Sequence, residues 1–320
     1  MSTNFFGSNI ASVREMAAQN FPVLVSVISS VFVNVISCPL IVLLNVLVIM
    51  AVKRRPRLQT NTNILLACLA ATDAVLTGLL VQPSFILWKT FQLLGRTRQE
   101  VANVARFHNS SLRTAFMFSS LHLMLVTGER LIAIKFFTRY PYVVTKQNMK
   151  RAVTALWILA IIWGTTEVLA HAHSTGTVFF MYFPVVIVLI SCVLFITYSY
   201  VILYRETRRQ RKKIKSQQLT QEAVERFQKE SRAFKTTVYI VGAVVLCLLP
   251  IAFLPIWIVS LPQGVDPRKL EFYFAYTPWI RTFGILNSLL NPLIYCWRQK
   301  EMRKFVFKFQ ARHDVVPINI

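Results

Sequence analysis

The chain has 320 residues, of which 55% are hydrophobic, and its mean hydropathy of +0.50 is higher than soluble domains usually reach. Its formal net charge of +23 would suggest nucleic acid as the partner of a soluble protein, but the basic residues gather in short segments between long apolar runs. These features predict an all-α membrane protein that lies in the lipid bilayer, and we expect no nucleic-acid partner.

Seven apolar runs are long enough to cross a bilayer, whose hydrocarbon core requires about 20 helical residues. We call them the first to seventh spans, and they occupy residues 22–52, 61–87, 101–134, 149–172, 177–204, 232–260 and 272–297. We therefore predict a seven-helix transmembrane domain over residues 22–297. Residues 1–21 form an N-terminal tail, and residues 298–320 form an amphipathic helix and a short tail.

The basic residues predict the orientation of the chain in the membrane. Most of the 36 Lys and Arg residues follow the first, third, fifth and seventh spans. Because basic segments stay in the cytoplasm, we expect the N-terminus outside the cell and the C-terminus inside. The five cysteines all fall within spans, so we expect no extracellular disulfide.

The first two spans each carry one conspicuous polar residue, Asn45 and Asp73. A carboxylate in the middle of a span is costly and usually functional, which makes Asp73 a candidate site residue. The alternative is a protonated Asp73 that is hydrogen-bonded to Asn45 or to Asn291 of the seventh span.

The third and fourth spans carry charges at two depths. Arg113 lies deep in the third span and Glu167 lies in the fourth. Either they pair with each other, or Arg113 holds a carboxylate of a ligand. Glu129 and Arg130 end the third span, where they form either an interfacial pair or a conformational switch.

The fifth and sixth spans contain Tyr198 near the end of the fifth and Pro250 within the sixth. Pro250 predicts a kink, since proline removes a backbone hydrogen bond of the helix. Glu230 precedes the sixth span, and we expect it to face Arg130 across the cytoplasmic end of the bundle.

The seventh span contains the sequence Asn291-Pro292-x-x-Tyr295. Its proline weakens the helix, and its asparagine must find a polar partner away from lipid. After this span, apolar residues recur at helical spacing from Met302 to Phe309 with basic residues between them. This pattern predicts a short eighth helix on the membrane surface.

Taken in order, these residues resemble the rhodopsin-like (class A) G-protein-coupled receptors over the whole membrane region. The matching positions are Asn45, Asp73, Glu129-Arg130, Trp157, Tyr198, Pro250 and the segment 287–295. The resemblance implies a plasma-membrane receptor that binds an extracellular ligand and activates a heterotrimeric G protein, with arrestin as a further partner. It implies no enzymatic activity and no required cofactor.

The resemblance also implies two sets of site residues inside the bundle. The activation switch would comprise Glu129, Arg130, Tyr198, Glu230, Pro250, Asn291, Pro292 and Tyr295. A sodium ion, acting as an allosteric ligand, would be held by Asp73, Ser119, Asn287, Ser288 and Asn291.

Several positions depart from the usual family pattern. Ala105 stands where the third helix usually carries a disulfide cysteine, and Leu248 stands where a tryptophan is usual. The missing cysteine and a short second outer loop look like melanocortin and related lipid receptors. Leu112 replaces the aspartate of amine receptors and Ile285 the lysine of opsins, so we expect neither an amine nor retinal as the ligand.

The outer half of the bundle supplies the candidate ligand-binding residues. They are Arg106, His108, Asn109, Leu112, Arg113, Glu167, Trp279 and Arg281. Their excess of positive charge favours an anionic or lipid-like ligand, and a peptide is the alternative. A transporter or channel is the hypothesis of a different class, but it would need an internal repeat or a continuous polar path, and the sequence contains neither.

Overall fold

The fold is described by a computed structural model that covers residues 21–136, 139–173, 178–216 and 267–308, with single residues 239, 242, 246, 247 and 250. Glu230 and the remainder of the sixth span lie outside the described residues. The long helices, all belonging to predicted spans, are Phe21–Arg54, Asn61–Leu93, Arg98–Lys135, Lys146–His173, Val178–Ser216 and Pro267–Arg298. A short helix, Lys300–Lys308, follows the seventh span. The all-α class predicted from the sequence is confirmed.

Hydropathy identifies only some of these helices as membrane spans. Within the described residues, Phe21–Arg54, Asn61–Leu93 and Phe183–Glu206 are both long and apolar enough to cross a bilayer. The third span is long enough but buries many polar side chains, among them Ser119, Ser120 and His122. It packs against the second, fourth and fifth spans. Because its neighbours are helices rather than lipid, it tolerates polar residues that a lipid-facing helix would exclude.

The third helix begins with a capping box. The Thr97 hydroxyl accepts a hydrogen bond from the backbone of Glu100, and the Glu100 carboxylate accepts one from the backbone of Thr97. Hydrogen bonds from the Thr97 side chain and backbone lower the pKa of the exposed Glu100 carboxyl. These bonds satisfy backbone donors that a helix start leaves without partners, and they fix where the third span begins.

The second span changes its winding where it carries Asp73. Residues Asp73–Val81 form a π-helical segment between the α-helices Asn61–Thr72 and Gln82–Leu93, and the Gln82 N–H bonds back to the Thr77 carbonyl. Pro83 follows directly and has no N–H to continue the regular ladder. Wide turns of this kind often occur at functional sites, and this one begins at the buried Asp73.

The first and second spans approach closely at Gly78. The Cys38 thiol contacts the Gly78 carbonyl at 3.3 Å, and a Cβ added to Gly78 would lie 2.6 Å from Val42 Cγ2. Valine has one stiff side-chain torsion and cannot easily retreat. Glycine is therefore needed here for the contact between the two helices.

We expect Gly78→Ala to lower the thermal stability of the purified protein by the equivalent of about 1–3 kcal/mol, since it overpacks this contact. Gly164→Ala is the matched control, because its Cβ would meet only Thr114 at 3.7 Å and alanine favours helix. Adding Val42→Ala to Gly78→Ala should restore stability. Equal melting temperatures for Gly78→Ala and Gly164→Ala would contradict the close approach.

Candidate functional site

The centre of the bundle holds a hydrogen-bonded cluster around Asp73, which is fully buried. Ser288 Oγ donates to Asp73 Oδ1 at 2.8 Å, and Ser119 Oγ donates to the same oxygen at 3.2 Å. Asn291 Nδ2 donates to Asp73 Oδ2 at 2.7 Å. Four of the five residues assigned to a sodium site, from three different spans, are thus in direct contact.

The fifth residue of that set, Asn287, is buried but makes no hydrogen bond to Asp73. Its Oδ1 has no hydrogen-bond partner within the described part of the chain, and the same holds for Asn45 Oδ1 and Asn291 Oδ1. Asn45 Nδ2 donates to the Ser288 carbonyl at 3.1 Å, which brings the first span to this cluster. Buried acceptors without a donor are costly, and a bound cation would satisfy such oxygens.

At the end of the bundle that carries the basic segments, which we call the basic end, Arg130 is held by its neighbours. Its Nε and Nη2 donate to the two oxygens of Glu129 at 2.6 and 2.7 Å, and Nη2 also donates to Thr62. Thr62 and Tyr140 donate to Glu129 at 3.0 and 2.6 Å. Arg130 and Glu129 are both buried, so the interfacial alternative does not describe them.

At the opposite end, Arg113 and Glu167 form a buried ion pair between the third and fourth spans. Arg113 Nε donates to both Glu167 oxygens at 3.0 and 3.1 Å, and Nη2 donates to Glu167 as well. The exposed fraction of the side chain is 5% for Arg113 and 0% for Glu167. Of the two alternatives that the sequence left open, the structure shows the pair.

The other residues assigned to ligand binding divide into two groups. Arg281 Nη1 donates to Asn109 Oδ1 at 2.7 Å, which joins the seventh and third spans, and His108 and Leu112 are buried nearby on the third span. Arg106 bonds to Asn103 at an exposed position. Trp279 packs on Phe283, a ring that is 55% exposed on the outside of the bundle.

Sequence reasoning missed Trp88 and Lys89, which lie against Arg281 and His108. The ring of Trp88 stacks on that of His108, and Lys89 is buried beside it. The apolar run of the second span stops at residue 87, but the helix continues to Leu93. The sequence feature that could have identified this site is a lysine next to a tryptophan at the end of a span.

The switch residues occupy different surroundings in this structure. Tyr295, Asn291 and Pro292 are buried in the seventh span. Tyr198 is 61% exposed. Pro250 is exposed on a helix, and Glu230 lies outside the described residues.

Comparison with known proteins adds independent evidence. Residues 44–295 match the family model described as 7 transmembrane receptor (rhodopsin family). The chain is 28% identical to the adenosine receptor A2a of Cavia porcellus over 325 residues, which cover 89% of this chain and 74% of that receptor. It is 27% identical to the adenosine receptor A2a of Homo sapiens, covering 89% of this chain and 73% of that receptor. The alpha-1A adrenergic receptor of Rattus norvegicus is 26% identical, over 82% of this chain and 63% of that receptor.

Proposed function

This chain belongs to the rhodopsin family of seven-transmembrane receptors, and from that premise we propose that it binds an anionic or lipid-like extracellular ligand and thereby activates a heterotrimeric G protein. Membership in this family makes it a multi-pass membrane receptor and not an enzyme. The distribution of basic residues supports an N-terminus outside the cell and a cytoplasmic basic end. Arrestin is proposed as a second partner at that end.

The observation that carries the proposal is the arrangement of three polar clusters along the bundle. The cationic residues Arg113 and Arg281 lie at the outer end, the Asp73 cluster in the middle and the Glu129–Arg130 pair at the basic end. The seventh span takes part in two of these clusters and carries Pro292. A ligand that favours one of two helix arrangements can therefore shift the population at the basic end.

The excess of positive charge at the outer end favours an anionic ligand over the alternative, a peptide. Leu112 is buried and stands where amine receptors carry an aspartate. The third span therefore offers no carboxylate at this position for an amine. The adrenergic and adenosine receptors are relatives at low identity, and their ligands are not assigned to this chain.

The proposal is tested by nucleotide exchange in membranes that contain the full chain and purified heterotrimeric G proteins. The receptor should accelerate exchange of GDP for a slowly hydrolysed GTP analogue on at least one G protein. Arg130→Ala should remove that acceleration, because the arginine is expected to contact the G protein once it leaves Glu129. Lys53→Ala, a basic-end cation outside the cluster, is the control. Equal exchange with and without receptor across all G-protein classes would overturn the proposal.

We further propose that a sodium ion binds at the Asp73 cluster and favours the inactive arrangement. Asp73, Ser119 and Ser288 supply oxygens, and the amide oxygens of Asn287 and Asn291 have no hydrogen-bond partner in the described ranges. Oxygen donors of this type suit a small hard cation. The residues present therefore fit such an ion.

Asp73→Asn should remove any effect of sodium on signalling, since the substitution removes the full negative charge of the cluster. Basal nucleotide exchange is measured in sodium chloride and in potassium chloride at equal ionic strength. We expect sodium to lower exchange by the wild type and not by Asp73→Asn. Ser30→Ala, which removes a buried hydroxyl that bonds only within the first span, should respond as the wild type does. A sodium effect of equal size in Asp73→Asn would show that the cluster is not the sodium site.

A further inference from the structure

A cluster of rings and cations surrounds Trp88 at the outer end of the bundle. The centroids of the Trp88 and His108 rings are 5.5 Å apart, and the planes differ by 28°. The centroid of the Phe85 ring lies 6.4 Å from that of Trp88 and 5.4 Å from that of His108. Lys89 Nζ lies 3.9 Å from the centroid of the Trp88 ring, and Arg281 Cζ lies 5.3 Å from the same centroid. Two cations from different spans thus share one aromatic ring.

Within the part of the chain that the structure describes, these two buried cations have no counter-ion. Lys89 is 5% exposed and Arg281 is 7% exposed. Over the ranges that the structure describes, ion pairs form at Arg113, Arg130, Arg209 and Lys304, and none forms at Lys89 or Arg281. Burying a charge without an opposite charge is expensive, and the cation–π contacts offset only part of that cost.

Among the described residues, each of the two cations has few hydrogen-bond acceptors. Lys89 donates one bond, to Gln92 Oε1 at 3.0 Å, although an ammonium group has three donors. Arg281 Nη1 bonds to Asn109 Oδ1, while its buried Nε has no acceptor in the described part of the chain. The acceptors that these cations do have are neutral amide oxygens, so an anion would be a better partner for both.

His108 adds a polar atom of the opposite kind. Its Nδ1 lies 3.2 Å from both the Val81 carbonyl and Ser84 Oγ. That carbonyl can only accept, and the Ser84 hydroxyl itself donates to it at 2.9 Å. The proton of the neutral ring is therefore on Nδ1, and Nε2 is an acceptor. Nε2 is buried and has no partner in the ranges described.

We infer that Lys89 and Arg281, placed around Trp88, bind the carboxylate or phosphate of the receptor's ligand, and that His108 Nε2 accepts a hydrogen bond from a hydroxyl or N–H of the same ligand. This inference rests on the proposed function and narrows it to ligands that carry one anionic group beside one hydrogen-bond donor. The guanidinium can bond an oxyanion through two N–H groups, and the ammonium adds a second charge. Trp88 supplies a flat apolar surface on which an unsaturated part of the ligand can stack.

The same geometry has a consequence for the ligand-free protein. Because two buried like charges repel each other and have no counter-ion among the described residues, removing one of them should stabilise the empty receptor. Lys89→Met keeps the length of the side chain and its packing but removes the charge. We therefore expect Lys89→Met to raise the melting temperature of the ligand-free receptor while it weakens anion binding, which is a trade between stability and function.

The test uses the full chain in nanodiscs of phosphatidylcholine, with melting temperature as the readout. Salicylate is the carboxylate probe, and its neutral amide, salicylamide, is the control compound. A lysophosphatidate is the phosphate probe, and the matching monoacylglycerol is its neutral control. At least one anion should raise the melting temperature, and its neutral counterpart should not. The two probes distinguish a free organic acid from a lipid headgroup.

Variants then assign the effect to these residues. Lys89→Met and Arg281→Gln should each raise the half-saturating concentration of the active anion about tenfold or more, as expected for loss of a charged hydrogen bond. Arg96→Gln is the matched control, since Arg96 is a cation over an aromatic ring at the same end but is exposed. It should bind the anion as the wild type does.

The inference is overturned if neither anion shifts the wild-type melting temperature, if the neutral analogues act equally, or if Lys89→Met lowers the stability of the ligand-free receptor. Nucleotide exchange on a G protein is measured separately on the same preparations. Anion binding without exchange would contradict the proposed function and leave this site standing. Basal nucleotide exchange without anion binding would support the proposed function and contradict this anion site.

Discussion

Glu167→Gln is expected to lower the stability of the folded receptor by more than Gly78→Ala does. The carboxylate accepts bonds from Arg113 on both of its oxygens, and both side chains are almost fully buried. Removing one partner of a buried pair typically costs about 3–5 kcal/mol, because the other charge remains without compensation. The melting temperature of the purified receptor should fall by several degrees, and the yield of folded protein should fall with it.

A double-mutant cycle separates the pair from other effects of the two substitutions. Arg113→Met should be as destabilising as Glu167→Gln, since it leaves a buried carboxylate. Arg113→Met combined with Glu167→Met should recover most of the loss, because apolar residues of similar volume often replace a buried pair at little cost. Additive effects of the single substitutions would show that the two residues do not stabilise the fold as a pair.

Glu206→Gln is the matched control for this experiment. Glu206 lies 3.8 Å from Arg209, one helical turn away, and the exposed fractions of the two side chains are 28% and 69%. A solvent-accessible pair at this distance contributes little, so the same change of carboxylate to amide should shift stability by less than about 0.5 kcal/mol. Arg113→Lys should be intermediate, since lysine keeps the charge but loses the planar group that contacts both oxygens.

The sequence was sufficient to predict the fold class, and its resemblance to a known family predicted four of the residues that meet in the central cluster. The predicted runs coincide with long helices, and among the described spans most helix ends differ from the predicted ones by only a few residues. The resemblance to class A receptors grouped Asp73, Ser288 and Asn291, and their contacts agree with the requirement that buried polar groups find polar partners.

What the sequence could not predict is the rotation of each helix about its axis. Arg113 and Glu167 were compatible with a pair or with ligand binding, and packing of the third and fourth spans decides which occurs. The apolar run of the second span ends before Lys89, so the sequence does not indicate that this lysine is buried. The helix continues to Leu93, and Lys89 is buried beside Trp88, a ring that Arg281 of the seventh span and His108 of the third span also contact. Burial of that lysine is a property of three helices and is not visible in any one of them.

Tyr140→Phe is expected to raise signalling in the absence of ligand. The phenol donates to Glu129 Oε1 at 2.6 Å and accepts from Asn61 Nδ2 at 3.2 Å. Burial and the hydrogen bond to Glu129 raise the pKa of Tyr140 to about 12. Its hydroxyl therefore stays protonated at physiological pH and remains a donor to the carboxylate that holds Arg130. Because the raised pKa lies far above neutrality, this effect should not vary between about pH 6 and pH 8.

The magnitude follows from the strength of one charge-assisted hydrogen bond. If its loss weakens the inactive arrangement by about 1.4 kcal/mol, the ratio of active to inactive receptor rises about tenfold. Glu129→Gln should have a larger effect, since the carboxylate accepts from Arg130, Thr62 and Tyr140 together. Tyr142→Phe is the matched control, because Tyr142 lies in the same short segment and is 82% exposed. This substitution should leave basal exchange unchanged.

Glu230→Ala extends the same experiment to the sixth span. We predict that Glu230 also faces Arg130 and opposes the opening that admits a G protein, so its removal should raise basal exchange. An exposed pair contributes only about 1 kcal/mol, so the rise should be smaller than that of Glu129→Gln. If Glu230 and Tyr140 restrain Arg130 independently, the double variant should raise the ratio of active to inactive receptor by the product of the two single effects. Basal nucleotide exchange per receptor at the cell surface measures each variant, and an unchanged rate in Glu230→Ala would leave Glu129, Thr62 and Tyr140 as the residues that restrain the arginine.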